Sequence, residues 1–425
     1  MKRLISVAVA VVLAASLSVH AVPAQAGFGN FVYSGAYTAG QFRDVRDSDW
    51  FARYVEDAYN FGFLHGKSDS VFDPGGYLTL GEAVTLAARV RSIYHTGSAA
   101  FPESAPFYSV YADYAISHGI IDAHGNYSDP ATRGSFAAMM YNALPPDAFP
   151  AINEIPDYGI CDVAPDSATG AAVYALYRAG ILSGSDQYGT FLAGSYVTRA
   201  EACAVLVRLA DPAARTSTLL PTHIPAEIIF QRNANAVFML EMFDEKGESI
   251  RTGSGFFISA SGLAVTNLHV IESAASATIT LYSGEVCLVR GIHAFSDERN
   301  LVIFSVDSEK GGWSFLTLAD SSRIEAGNTV YALGSPRELI NTISDGIISY
   351  SKREVNWDTL IQFTAPISFG SGGSPLLNTL GQVVGVAAST YTLGQNLNLA
   401  VPINFVKELK PGDPVALKEF SKLRL

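Results

Sequence analysis

The chain has 425 residues, 48% of them hydrophobic and 16% charged, with a formal net charge of −12. Such a composition fills cores and excludes a disordered chain, while the acidic balance repels phosphate backbones and so excludes nucleic acid as an expected partner. Three scattered cysteines, Cys161, Cys203 and Cys287, exclude a disulfide framework and a zinc site, leaving packed cores to hold the fold.

The first element is the stretch MKRLISVAVAVVLAASLSVHAVPAQA. Lys2 and Arg3 precede an apolar run, and Ala24-Gln25-Ala26 supplies the small-x-small site that a signal peptidase cuts. Residues 1–26 are therefore expected to be a removed leader and the mature chain to be exported. No later stretch reaches the roughly 18 apolar residues of a spanning helix, so no membrane contact is expected after cleavage.

A repeated pattern follows. One copy starts at Phe42 with FRDVRDSDW and continues through GFLHG to YLTLGEA; another starts at Cys161 with CDVAPDS and continues through GILSG to YVTRAEA. Both give Asp-Val, a helix, a Gly-apolar-apolar-x-Gly turn, a Phe, then Thr-x-x-Glu opening a second helix. Between them YSVYADYAISHGIIDAHGNYSDPATRGSFAAMMYNAL is a shorter copy. The repeats span 42–95, 104–145 and 157–210, and units of this kind share one core. Leu80, Ala83, Val84, Ala87 and Val90 recur at helical spacing, as do Ala200, Ala204 and Val207. Thr79 with Glu82, and Thr198 with Glu201, fit capping boxes. Residues 27–210 carry ten Lys and Arg against nineteen Asp and Glu.

On these motifs, the region 42–210 resembles three S-layer homology repeats, with the Thr-Arg-Ala-Glu of residues 198–201 as that family's signature. The resemblance implies an α-helical pseudo-threefold prism. Its grooves would hold the anionic, pyruvylated secondary polymer of a cell wall, with the motif arginine on the pyruvate ketal. A guanidinium suits a carboxylate because it grips both oxygens. Arg199 matches in full, Arg133 sits in a degraded Thr-Arg-Gly-Ser, and Leu80 replaces arginine in the first copy. Arg133 and Arg199 are thus the expected polymer contacts; the plainer reading makes them exposed helix-start residues.

Residues 211–226 are rich in Pro, Thr and Ala and lack periodicity, which reads as a linker of moderate stiffness. From 227 to 410 the pattern changes to short β-rich runs between Gly turns: AVFMLEMF, SGFFIS, ATITLYS, LVIFSV, TVYALG and GQVVGVAAS. Many short strands without intervening helices predict an all-β barrel or sandwich, and residues 411–425 read as a tail. Histidine is scarce here. His223 falls in the linker, His293 has no motif, and His269 lies in Thr-Asn-Leu-His-Val after Gly-Ser-Gly-Phe.

The stretches GSGFFISASGLAVTNLHV, GNTVYALGSP, NTISDGIIS, APISFGSGGSPLLNTLGQVVGV and QNLNLAVPINFVKEL resemble, in order, a trypsin-fold serine protease of the bacterial HtrA (Deg) type. No stretch for a PDZ domain follows. The resemblance implies two six-stranded barrels with a Ser-His-Asp triad in the cleft, and a preference for unfolded polypeptide. In that mechanism His takes the serine proton, Asp holds its tautomer, and backbone N–H groups bind the oxyanion.

His269 matches the family position. The aspartate position falls on Asn300; Asp297, at an odd offset on a strand, points to the opposite face. The family's nucleophile pattern, laid without gaps on Ala365 to Leu376, puts Gly372 at the serine position, and Gly381 agrees nine residues later. A re-registered turn would instead make Ser371 the nucleophile, with Ser374 as a spare serine and Gly370 and Gly372 as oxyanion-turn residues.

Two readings stay open at this point. In one, Ser371 and His269 form an active cell-surface endopeptidase. In the other, the fold persists as an impaired protease that binds extended peptides along residues 386–389 by strand addition. A structural or adhesive wall protein is a third reading. No metal or organic cofactor is expected, since no cluster of His, Cys or carboxylates stands out.

Overall fold

The computed structural model describes residues 25–307, 312–335, 339–355, 358–390 and 397–424. Of the expected leader, residues 1–24 lie outside the described residues.

The first half is helical, with two helices per repeat: α1 (Ala52–Asn60) and α2 (Leu80–Thr96), α3 (Ser109–Ser117) and α4 (Arg133–Ala143), α5 (Gly170–Arg178) and α6 (Arg199–Ala210). Both expected capping boxes form. Thr79 and Thr198 each accept the N–H of the glutamate three residues on, which in turn accepts the threonine N–H. Thr132 caps α4 through its hydroxyl alone, because Ser135 stands where the other copies have Glu.

A helix start leaves N–H groups without intrahelical partners, and here neighbouring repeats supply the acceptors. Leu80 donates to the Asp129 carbonyl at 2.8 Å, Arg133 to Ser195 at 2.8 Å, and Arg199 to Gly76 at 2.9 Å. Just before these helices, Leu78 donates to Val197 (3.2 Å), Val197 to Ala131 (3.0 Å) and Ala131 to Leu78 (2.8 Å). Within each set of three bonds every repeat donates to one neighbour and accepts from the other, and the two sets run in opposite directions, closing a ring over a single apolar core that runs from Phe31 to Ala210.

The Asp-Val motif also acquires a reason. Asp44 accepts the N–H groups of Phe72 (2.9 Å) and Asp73 (2.7 Å), and Asp162 those of Phe191 (2.9 Å) and Leu192 (2.7 Å). Asp73 and Leu192 have φ of 62° and 59°. The carboxylate steadies a left-handed corner that a Cβ disfavours.

The segment 211–226 is tied at both ends rather than loose. Thr218 N–H donates to Asn153 Oδ1 at 2.9 Å, and Ile224, buried, donates its N–H to the Thr379 carbonyl at 2.8 Å. It leads into α7 (Ala226–Asn233).

Two closed antiparallel barrels follow. The first joins β1 (Val237–Phe243), β2 (Ser249–Phe257), β3 (Leu263–Asn267), β4 (Ser276–Leu281), β5 (Val286–Ser296) and β6 (Leu301–Val306) in the order β1-β2-β3-β6-β5-β4, with the one-turn α8 (Leu268–Ile271) after β3. The second joins β7 (Thr329–Gly334), β8 (Thr342–Val355), β9 (Asp358–Phe363), β10 (Pro375–Leu377), β11 (Val383–Thr390) and β12 (Asn398–Pro402) in the order β10-β11-β12-β9-β8-β7. Each barrel closes on itself, β1 pairing with β4 and β7 with β10. The six runs read from sequence fall on β1, β2, β4, β6, β7 and β11.

Short α9 (Asn404–Glu408) precedes the tail, which ends in α10 (Leu417–Leu423). Leu417 and Phe420 of α10 join the first barrel's core, and Val415 bridges Ile292. The halves of the molecule are in contact. Wholly buried Gln382 donates to the carbonyls of Ile160 (2.9 Å) and Tyr158 (3.2 Å) of the third repeat, and Arg232 pairs with Asp186 at 2.7 Å.

Candidate functional site

The β-half site forms where α8 meets the turn between β9 and β10. β3 delivers Asn267 into the interior, and the single helical turn behind it swings His269 to a half-buried position. Asn300 sits opposite with φ of 49°, a conformation asparagine tolerates. Its backbone carbonyl accepts from Leu268 N–H and Asn267 Nδ2, each at 3.1 Å. Its side-chain Oδ1 accepts the backbone N–H of His269 at 2.9 Å.

That last bond orients the amide. His269 Nδ1 lies 3.1 Å from Oδ1 and 2.8 Å from Nδ2 of Asn300. In the pairing in which Nδ2 donates to Nδ1, the shorter of the two contacts, the ring proton sits on Nε2. An aspartate would do the reverse, accepting Nδ1–H and leaving Nε2 as a base. In this pairing the imidazole presents a donor to the cleft.

The turn itself keeps its frame. Ser371 N–H donates to the Ser368 carbonyl at 2.9 Å, and Gly370 at the third corner has φ of 89°, as a type II turn requires. Ser254 of β2 braces it from below. Its N–H donates to Gly372 O (2.8 Å), its hydroxyl donates to Gly370 O (2.7 Å) and accepts Ser335 N–H (2.9 Å). Gly373 donates to the Ala387 carbonyl at 2.8 Å, and a Cβ there would collide with Thr266 and the Ser254 carbonyl. Among the described residues, the N–H groups of Gly370 and Gly372 have no protein acceptor.

Gly372 is the residue that faces the histidine. A Cβ built on it would lie 3.6 Å from His269 Nε2, 3.5 Å from Val270 and 3.9 Å from Asn267 Oδ1, a buried oxygen without a hydrogen-bond partner. The ordinary van der Waals spacing leaves room for a side chain, and the hydroxyl of a serine here would reach the ring nitrogen.

The two serines turn elsewhere. Ser371 is 3% exposed, and its Oγ accepts the Ser368 N–H at 3.2 Å inside its own turn. Ser374 is 1% exposed, with its Oγ packed against Gly334 and unpaired. Asp297 is ion-paired with Arg424 of the tail, whose hydrogen bond holds its carboxyl below the usual range. His293 bonds Gly412 O and Ser305 Oγ and is structural. Sequence reading missed Ser254, Asn267 and Arg251, whose exposed guanidinium donates to the His269 carbonyl. For Ser254 the signal was present in Gly-Ser-Gly-Phe, but its bracing role needs the fold.

Strand addition along 386–389 is narrower than expected. Val386 pairs with Pro375 and Val401, and Ala387 bonds Ser374 and Gly373. Only beyond Ala387 do the described pairings leave one side open.

In the helical half, Arg199 is 4% exposed, donating from Nε to Phe72 O (2.9 Å) and from Nη2 to His65 O (2.6 Å), over the Phe72 ring. Arg133 is the analogue one repeat on. It donates to Phe191 O at 2.8 Å and pairs with Glu201, the capping glutamate of α6. Arg133 lines a cleft of about 380 Å³ together with Trp50, Ser183, Ser185, Phe191 and Arg208. Leu80 takes the corresponding place in the first repeat. Among the described residues no group of His, Cys, Asp and Glu forms a metal cluster, and no helix is long and apolar enough to cross a membrane.

Comparison with known proteins matches each half of the chain to a domain family. The trypsin-like peptidase domain model matches residues 253–386, and the S-layer homology domain model matches residues 41–84 and 162–203. The chain therefore carries both kinds of domain, and its relatives are HtrA and DegP serine proteases. It is 34% identical over 185 residues to a probable periplasmic serine endoprotease, DegP-like, of Rickettsia prowazekii, covering 41% of this chain and 36% of that one. It is 32% identical over 194 residues to the mitochondrial serine protease HTRA2 of Bos taurus, covering 42% of this chain and 41% of that one. The chain thus spans about two fifths of the length of these curated relatives. A crystal structure of the serine endoprotease from Yersinia pestis aligns with a TM-score of 0.39 at 23% identity, over 45% of this chain and 66% of that one.

Proposed function

We propose that this chain, built of S-layer homology repeats and a trypsin-like peptidase domain, is held at a cell surface by the repeats and displays the second domain as a peptide-binding module with little or no endopeptidase activity. S-layer homology domains bind cell-wall polymers, and domains of the trypsin type bind peptides. The ring of backbone bonds through Leu78, Ala131 and Val197 supports a pseudo-threefold prism. Arg133, which lines the 380 Å³ cleft formed by the second and third repeats with Trp50 of the first, is the contact proposed for a pyruvylated polymer.

One observation carries the reading of weak catalysis. The position that meets His269 Nε2 at 3.6 Å is a glycine Cβ that does not exist. The base is compromised as well, because Asn300 brings no negative charge to the imidazole. In trypsin this replacement of the aspartate costs roughly 10⁴ in turnover. What is left is the oxyanion turn and the binding surface, which alone give small residual rates.

Cleavage of unfolded casein by the wild type, Ser371→Ala and His269→Ala tests this. The expected result is no cleavage by any of the three, with saturable binding of casein. Wild-type cleavage lost in both variants would instead establish an endopeptidase with Ser371 as nucleophile. Absence of both cleavage and binding would leave the domain a structural spacer. Attachment is tested by sedimentation of the full chain with purified wall, where Arg133→Ala is expected to weaken retention.

A further inference from the structure

We infer that the cleft at Gly372 is a receptor for the free C-terminal carboxylate of a peptide, rather than for an internal stretch of chain. The inference rests on the peptide-binding reading above and names the ligand of that same site.

Two backbone donors of the turn at Gly372, the N–H groups of Gly370 and Gly372, lack acceptors among the described residues, and the His269 ring stands across from the position where a side chain would be. The third donor is His269 Nε2–H, in the pairing in which Asn300 Nδ2 donates to Nδ1 at 2.8 Å. A scissile amide offers one oxygen to such a site. A carboxylate offers two, one for the paired backbone donors and one for the histidine, and its charge strengthens each bond. The second oxygen needs space, and no side chain stands between Gly372 and Nε2, which lies 3.6 Å from a Cβ built there. In a peptidase this volume holds the nucleophile, so the vacancy and the extra donor arise together.

The surroundings suit a peptide end. Arg251, exposed and bound to the His269 carbonyl, places a positive charge beside the slot in a chain of net charge −12. Phe369, at the outer corner of the turn, is 90% exposed and offers an apolar surface for the ligand's last side chains. Asn267 Oδ1, buried and unpaired 3.9 Å from the built Cβ, works against an anion here, and the donors must outweigh it.

The test uses the immobilised full chain and a random hexapeptide library, synthesised once as free acids and once as C-terminal amides. Mass spectrometry of the retained fraction is expected to show acids favoured by about tenfold, the worth of one charge-assisted bond. Gly372→Val fills the slot without a backbone conflict, since φ there is not left-handed, and is expected to remove the preference. His269→Ala removes the third donor and should reduce it, which covers the case of a misfolded valine variant. Equal retention of acids and amides overturns this proposal and leaves the peptide-binding reading standing. Retention of neither library ends both. An acid preference that survives in both variants places the carboxylate elsewhere and also overturns it.

Discussion

The two halves of the molecule keep their inherited motifs in opposite ways. In the helical half the motif residue persists while its side chain is consumed by the fold: Arg199 matches the signature in full, yet its guanidinium is buried on the carbonyls of Phe72 and His65. In the β-half the turn and its Ser254 brace stand around Gly372, which has no side chain to present to His269, and among the described residues the N–H groups of Gly370 and Gly372 have no acceptor. A retained letter is therefore not a retained site, and a lost letter does not dismantle one. The difference arises because a scaffold rests on many hydrogen bonds and a buried core, whereas nucleophilic attack rests on one oxygen and one proton acceptor.

The sharpest way to break this comparison is to restore the β-half. Asn300→Asp with Gly372→Ser should raise casein cleavage by at least about 10³-fold, since scaffold and oxyanion turn are in place. Gly372→Ser alone should gain far less, because Asn300 still brings no negative charge to the imidazole. Initial rates of the single and double variants check both statements, and a double variant no faster than wild type would sink the claim that the scaffold is intact.

The helical half is broken by removing Arg199. Arg199→Ala strips hydrogen bonds from two carbonyls and a cation from the Phe72 ring, and should cost about 2–4 kcal/mol in denaturant midpoints. Arg133 also makes two polar contacts and lies over the Phe191 ring, but it is less buried than Arg199, so Arg133→Ala should cost less, about 1–2 kcal/mol, while lowering wall retention more than its stability loss explains. Equal stability losses for the two would show that burial does not separate their roles.

The smallest effect compares Asp44 with Asp162, which perform the same task in the first and third repeats. At Asp44 desolvation pushes the carboxyl up, but the N–H groups of Phe72 and Asp73 outweigh it and the net direction is down. At Asp162 desolvation wins over the equivalent bonds and the net direction is up. A lowered folded-state value gives stability that is present above the unfolded carboxylate range and lost as pH falls through it. A raised one gives stability present below that range and lost as pH rises through the folded value. The wild-type advantage over Asp44→Asn should shrink on acidification, and that over Asp162→Asn should grow, in denaturation from pH 7 to pH 3.5.

Much of the architecture was legible without coordinates, because it rests on short-range rules. The Thr-x-x-Glu pairs became capping boxes, the helical spacing became α2 and α6, and the apolar runs became strands of the two barrels. The strands β3, β5, β8, β9, β10 and β12 were not read as separate runs. β10 has only three residues, and β8 exposes much of its length, so neither shows a clear apolar pattern. The semi-stiff linker and the tail were read from composition, which is blind to Ile224 and Phe420 entering cores formed by distant strands.

What the amino-acid sequence by itself determined is the pair of scaffolds and the identity of the residues at their key positions: Arg133, Arg199, His269, Asn300 and Gly372. Local capping, periodicity and turn chemistry act over a few residues, so they survive in a string of letters. Only the tertiary structure decided which atoms meet. It placed Gly372 rather than Ser371 or Ser374 against Nε2, committed Asp297 to Arg424, and buried Arg199 while leaving Arg133 on a cleft. Those outcomes depend on which long-range partner each polar atom finds, because a buried donor or acceptor takes the nearest available mate wherever it lies in the chain.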